Sequence, residues 1–234
     1  MRILLVVLFG LSIVFAGEMK IGAGAGYKAP VMEIIESFEK AYPHKVNGLF
    51  GNMKQINSQA AQGDIALIIG DKSYLEEKSG LPFENYTDVG SGKAVLAYAK
   101  GVNITKLEDI VNEDITRVVM PQEKKAIYGI AAAEVLERSG LRSKVAKKML
   151  EVATVPQAAT YILTGEVDAG FINLTAALSH KDRLGGYMLI DEKLYSPIII
   201  TVGQLAACKE EVCLTFLEYV KSPEARSIFE RYGL

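Results

Sequence analysis

Short apolar runs alternate with amphipathic stretches through most of this 234-residue chain, and few folds accommodate that order. The segments "EMKIGAG" (18–24), "KVNGLF" (45–50) and "IALIIG" (65–70) are too short for helices and read as strands. Between the first two, Val31, Ile34, Ile35, Phe38 and Tyr42 recur on one helical face, with Glu33, Glu36, Glu39 and Lys40 opposite. Pro30 suits the first turn of that helix. "MKQINSQAAQ" (53–62) supplies the next helix. Strands separated by helices predict parallel βαβ units and an α/β fold.

The pattern resumes further on. "KAVLAYAKG" (93–101), "RVVMP" (117–121), "VDAGFIN" (167–173) and "PIIITVGQLA" (197–206) read as strands. "KLEDIVN" (106–112) is a short helix, and "AIYGIAAAEVLERSG" (126–140) a longer one closed by Gly140. In "TVPQAATYILTG" (154–165), Thr154 and Gln157 have capping-box spacing and Pro156 sits in the first turn. Two helices end the chain, the last capped by Ser222. Two similar blocks with a returning tail predict two lobes, residues 17–94 plus 197–234 and residues 95–196. Each would be a mixed, mostly parallel sheet flanked by helices, with a ligand cleft between them.

The first sixteen residues, "MRILLVVLFGLSIVFA", read as a secretory signal, with cleavage between Ala16 and Gly17. An uncleaved anchor is the other reading, but about thirteen apolar residues fall short of the ~20 that a span needs. The expected location is therefore periplasmic or extracellular. The whole chain carries a net charge of −2, and loss of Arg2 makes it −3. That balance argues against nucleic acid and anionic membranes as partners; a monomer is expected. Cys208 and Cys213, in "ACKEEVC", can pair as a disulfide in an oxidising compartment or remain two buried thiols. Without histidine partners they make a poor zinc site, and no cofactor is expected.

The glycine-rich turn in "IGAGAGYKAPVMEIIESF" (21–38) raises the question of a nucleotide. The dinucleotide fingerprint G-x-G-x-x-G fails because the third glycine comes one position early, and "VNGLFGN" lacks the ribose-binding acid. The Gly-Lys-Ser/Thr of a P-loop is also absent. His44 and His180 sit in polar segments and read as solvated, without a nucleophile or carboxylate partner, so an enzyme is not expected. Anion binding by the backbone survives. The first N–H groups of a helix lack intrahelical partners and carry partial positive charge. Four helix starts offer them, at Gly26–Tyr27, Gly51–Asn52, Ile127–Tyr128 and Thr154–Val155, two in each block. Only their convergence would make a site. Lys28, Lys124 and Lys125 can help to attract anions.

Three segments carry a family resemblance: "KAIYGIAAAEVLERSGL" (125–141), "ATVPQAATYILTGEVDAGFINLTAAL" (153–178) and "FLEYVKSPEARSIFERYGL" (216–234). With them the chain resembles the periplasmic molybdate-binding proteins of ABC importers over nearly its whole mature length. The resemblance implies a type II periplasmic-binding-protein fold closing on a tetrahedral oxyanion, molybdate or tungstate, for delivery to a membrane permease driven by a separate ATPase. It implies ligand contacts at Gly26, where the family usually has serine, and at Asn52, at or beside a second serine. Backbone contacts follow at Tyr128 and Val155, and Asn173 stands where the family usually has tyrosine. Asn52 and Asn173 can donate through their amides, and Tyr27 or Tyr128 through a phenol. The alternatives are the same fold tuned to phosphate, sulfate or a small carboxylate, and a surface adhesin or interaction protein that has repurposed it.

Overall fold

The computed structural model describes residues 17–234, so the expected signal segment, 1–16, lies outside the described residues. The first sheet is built from β1 (Glu18–Gly24), β2 (Lys45–Gly51), β3 (Ile65–Asp71), β4 (Phe83–Gly92) and β10 (Ile198–Leu205). The second contains β5 (Ala94–Tyr98), β6 (Val118–Pro121), β7 (Met149–Val152), β8 (Ala169–Asn173) and β9 (Gly186–Leu189). Their orders are β2-β1-β3-β10-β4 and β7-β6-β8-β5-β9. The chain crosses between the sheets twice, from β4 to β5 and from β9 to β10. Two five-stranded sheets joined by two crossings make two lobes.

Helices connect the parallel strands. In the first lobe, α1 (Lys28–Ala41) follows β1 through a 3-10 turn at Ala25–Tyr27, α2 (Met53–Ala60) follows β2, and α3 (Lys72–Glu77) follows β3. In the second lobe come α4 (Ile127–Arg138), α5 (Arg142–Val145), α6 (Val155–Thr164) and α7 (Leu174–Ser179). The chain ends with α8 (Glu211–Val220) and α9 (Pro223–Arg231). Among the described residues, no helix is long and apolar enough to cross a membrane.

The apolar stripe of α1 explains how the first lobe packs. Val31, Ile34 and Phe38 are fully buried, and the Phe38 ring meets Phe216 edge-on and lies against Tyr219 of α8. The C-terminal helices thus close the core that α1 begins. All seven residues of β3 are buried, as expected for an interior strand covered on both faces. β1 runs parallel to β2 and β3, and β6 runs parallel to β7 and β8. Their carboxyl ends, and the helix starts that follow them, therefore gather at one end of each sheet. In open α/β sheets that is where ligands bind.

Several elements differ from the sequence expectations. α3, β4, β7 and β9 carry no clear pattern in the sequence, and "KLEDIVN" forms a 3-10 turn, Leu107–Val111, rather than an α-helix. His44 is also not a solvated side chain. It is buried, its Nδ1 accepts a hydrogen bond from the Gly17 N–H at 3.0 Å, and its ring stacks near Phe38. The polar residues next to it in sequence hid a seat against the Phe38 ring of the preceding helix α1. Cys208 and Cys213 are bonded to each other across the short loop between β10 and α8.

Candidate functional site

The four helix starts meet. Gly26 and Tyr27, Gly51 and Asn52, Ile127 and Tyr128, and Thr154 and Val155 all line one cavity of about 50 Å³ between the lobes. A single water needs roughly 10–15 Å³ of such space, so the cavity suits one small anion or a few waters. The starts of α1, α2, α4 and α6 border it. The N–H groups of Lys28, Gln55, Gly129 and Gln157 are taken by local partners, and the earliest amides of α2, α4 and α6 are the ones without an intrahelical acceptor. Lys125 is the one charged side chain on the wall among the described residues. Lys28 lies with its ammonium 5.8 Å from the centre of the Phe50 ring, a cation–π arrangement.

The side chains at the helix starts are largely committed to the protein itself. Asn52 caps α2: its Oδ1 accepts from the Gln55 N–H at 3.0 Å, while its Nδ2 donates to Gln55 Oε1 at 2.9 Å. One amide hydrogen of Asn52 remains for a ligand. Thr154 caps α6 by accepting from the Gln157 N–H at 3.3 Å. Asn173 does not line the cavity. It is fully buried, caps α7 by accepting from the Ala176 N–H at 3.0 Å, and donates to the Gly26 carbonyl at 3.1 Å. That last bond links the lobes directly beneath the cavity.

Gly26 permits this approach. A Cβ there would come within 3.1 Å of Asn173 Nδ2 and 3.4 Å of Val155 Cβ, so a side chain would press against the facing lobe. The Tyr27 and Tyr128 phenols also meet across the lobes, 2.8 Å apart and buried. Burial is the first cause holding both hydroxyls protonated well above the usual tyrosine range; the neighbouring phenol reinforces this for Tyr27 but opposes it for Tyr128. The hydroxyls lie beside Gly92, where a Cβ would fall 2.3 Å from the Tyr128 oxygen and 3.2 Å from that of Tyr27.

Two glycines that shape the site went unnoticed in the sequence. Gly92 makes room for the tyrosine pair at the first crossing. Gly129 lies in the first turn of α4, where a Cβ would meet the Gln122 and Pro121 carbonyl oxygens at 2.2 and 2.4 Å. A glycine inside "IYGIAAA", an otherwise strong helix-forming run, is the signal that could have found it. Among the described residues, no cluster of three or more histidine, cysteine, aspartate or glutamate side chains could hold a metal cation.

The profile of the bacterial extracellular solute-binding proteins matches residues 19–234. The chain belongs to this family. The family is one of extracellular solute-binding proteins, which places it outside the cytoplasm. The molybdate-binding protein ModA of Rhodobacter capsulatus is 27% identical over 225 residues, covering 93% of this chain and 88% of the relative. ModA of Azotobacter vinelandii is 27% identical over 230 residues, covering 93% and 90%. Among solved structures, the Azotobacter vinelandii periplasmic molybdate-binding protein superposes with a TM-score of 0.82 at 20% identity, covering 92% of this solute-binding protein and 97% of that chain. PEB3 bound to L-phospholactate gives 0.77 at 19% identity, covering 92% and 98%. At these identities the structural likenesses establish the fold alone.

Proposed function

We propose that this solute-binding protein captures a tetrahedral oxyanion, molybdate or tungstate, and delivers it to the permease of an ABC importer. The observation that carries the reading is the convergence of four helix starts, two from each lobe, on one cavity of about 50 Å³. Peptide dipoles hold a buried anion without a neutralising cation. Backbone N–H groups at Gly26, Tyr27, Tyr128 and Val155 and the spare amide hydrogen of Asn52 form the cradle. Asn173 positions Gly26 through its carbonyl. On this reading the units that close on the ligand are residues 17–94 plus 197–234 and residues 95–196.

Charge-assisted hydrogen bonds contribute roughly 1.5–3 kcal/mol each. Five of them give roughly 7.5–15 kcal/mol; toward the upper end this offsets the several kcal/mol lost when an anion leaves water and leaves the ~8 kcal/mol that micromolar affinity requires. The names of the ModA relatives support molybdate over other oxyanions. Isothermal titration with molybdate, tungstate, sulfate and phosphate tests the assignment. The expected result is one site with highest affinity for the two metal oxyanions; absence of heat with both removes it.

A further inference from the structure

A second hollow, of about 240 Å³, lies between the lobes beside the first. Asp71, Ser73, Tyr74 and Lys78 form its first-lobe wall, Lys124, Lys125 and Glu134 its second-lobe wall, and the crossing at Ser196–Ile198 bounds it as well. At that size it exceeds what a single tetrahedral anion fills, and it has room for a carbon skeleton.

The charges on its wall are unequal in availability. Asp71 is buried and occupied: one of its oxygens accepts from the Ser73 hydroxyl at 2.7 Å and from the Tyr74 N–H at 2.9 Å. Glu134 is taken by Arg138 at 2.9 Å and by the Ser196 N–H and hydroxyl. Both acids accept hydrogen bonds from the protein, whereas Lys78, Lys124 and Lys125 are exposed lysines on the rim of the hollow that join no ion pair among the described residues. Ammonium groups on flexible stems are compact point donors that can follow separate acceptors. The apolar faces of Ile127 and Ile130 complete the lining.

We propose that this hollow binds a small di- or tricarboxylate, as a site separate from the oxyanion cavity. The carboxylates take Lys78 and Lys124 from opposite lobes, and the carbon skeleton rests on Ile127 and Ile130. Because its contacts come from both lobes, the organic anion braces them against each other. The proposal goes beyond the oxyanion reading and does not depend on it.

Citrate is the probe. Titrated into the protein alone and into protein saturated with molybdate, it should bind once per molecule in both cases. A Lys78→Ala/Lys124→Ala variant should lose at least tenfold in citrate affinity, and Lys78→Ala alone should weaken citrate binding with its molybdate isotherm and melting temperature unchanged. Lys125 is left intact because it lines both hollows. No citrate heat, displacement of citrate by molybdate mole for mole, or an unaltered citrate affinity in the variant would each overturn the proposal. A protein that ignores molybdate but binds citrate in a Lys78- and Lys124-dependent way would leave this site standing and remove the oxyanion assignment.

Discussion

The phenolic oxygens of Tyr27 and Tyr128 lie 2.8 Å apart, each contributed by a different lobe at the start of a helix that lines the anion cavity. Each phenol is the other's hydrogen-bond partner. The pair, with the Asn173 bond to the Gly26 carbonyl, makes a polar seam joining the lobes.

Removing one phenol leaves its partner buried without that bond, whereas removing both leaves two apolar rings. An unsatisfied buried hydroxyl costs about 1–3 kcal/mol, while loss of both partners can be nearly neutral. Tyr27→Phe and Tyr128→Phe should therefore each destabilise by about that amount, and the double variant by clearly less than their sum. Urea denaturation of the four proteins supplies the cycle; strict additivity would deny the coupling.

The same pair sets a limit at alkaline pH. Burial keeps both hydroxyls protonated above the normal tyrosine range in the folded protein. Below about pH 10 folded and unfolded states are both protonated, and the contribution is complete. Above it the unfolded chain releases protons that the native pair retains, so stability falls by up to ~1.4 kcal/mol per pH unit for each group until the folded pKa is passed. Urea midpoints should drop between about pH 10 and 11. The double phenylalanine variant should show a shallower drop, but not a flat one, because burial raises Tyr74 and Tyr195 as well.

Gly129 is expected to be intolerant of even one methyl group. The carbonyl oxygens that an added Cβ would strike belong to the backbone just before α4 and cannot rotate away. Gly129→Ala should cost about 1–3 kcal/mol through overpacking. It should also weaken anion binding, because α4 must shift the N–H groups at Ile127 and Tyr128. Melting temperature and anion titration together check this, and a variant that keeps both at wild-type values would contradict the described packing.

The two asparagines should separate by role. Asn52→Ala removes the cap of α2, worth about 1 kcal/mol, together with an amide that faces the cavity, so it should lower both stability and anion affinity. Asn173→Ala removes a cap and a bond between lobes made by a fully buried side chain, so its larger effect should fall on stability. Denaturation and calorimetry on each single variant distinguish the two outcomes.

How much of this was legible in the sequence depended on where each strand sits. β3 and β10 occupy sheet interiors and show as continuous apolar runs, because both faces need apolar residues. β4, β7 and β9 are edge strands. "FENYTDVGSG" carries polar residues and two glycines over a half-exposed surface, which resembles a loop more than a strand. Two helix starts were readable from local chemistry, since Thr154 and Ser222 cap as their types suggest, whereas Asn173, expected as a ligand contact, caps α7. What each cap does beyond its own helix was not readable. The contact between Asn173 and Gly26 spans 147 positions, and no local pattern encodes it.

β10 lies between β3 and β4, so the first sheet has a gap through its middle until the strand beginning at Ile198 is available. The second sheet draws all its strands from one unbroken stretch, β5 to β9. During synthesis from the amino terminus, the second lobe can therefore assemble while the first still waits for the strand between β3 and β4 and for α8 and α9. Gly26 and Asn52 belong to the waiting half. A nascent or truncated polypeptide has only half a binding cradle, and competence to hold a solute arrives with the last residues made.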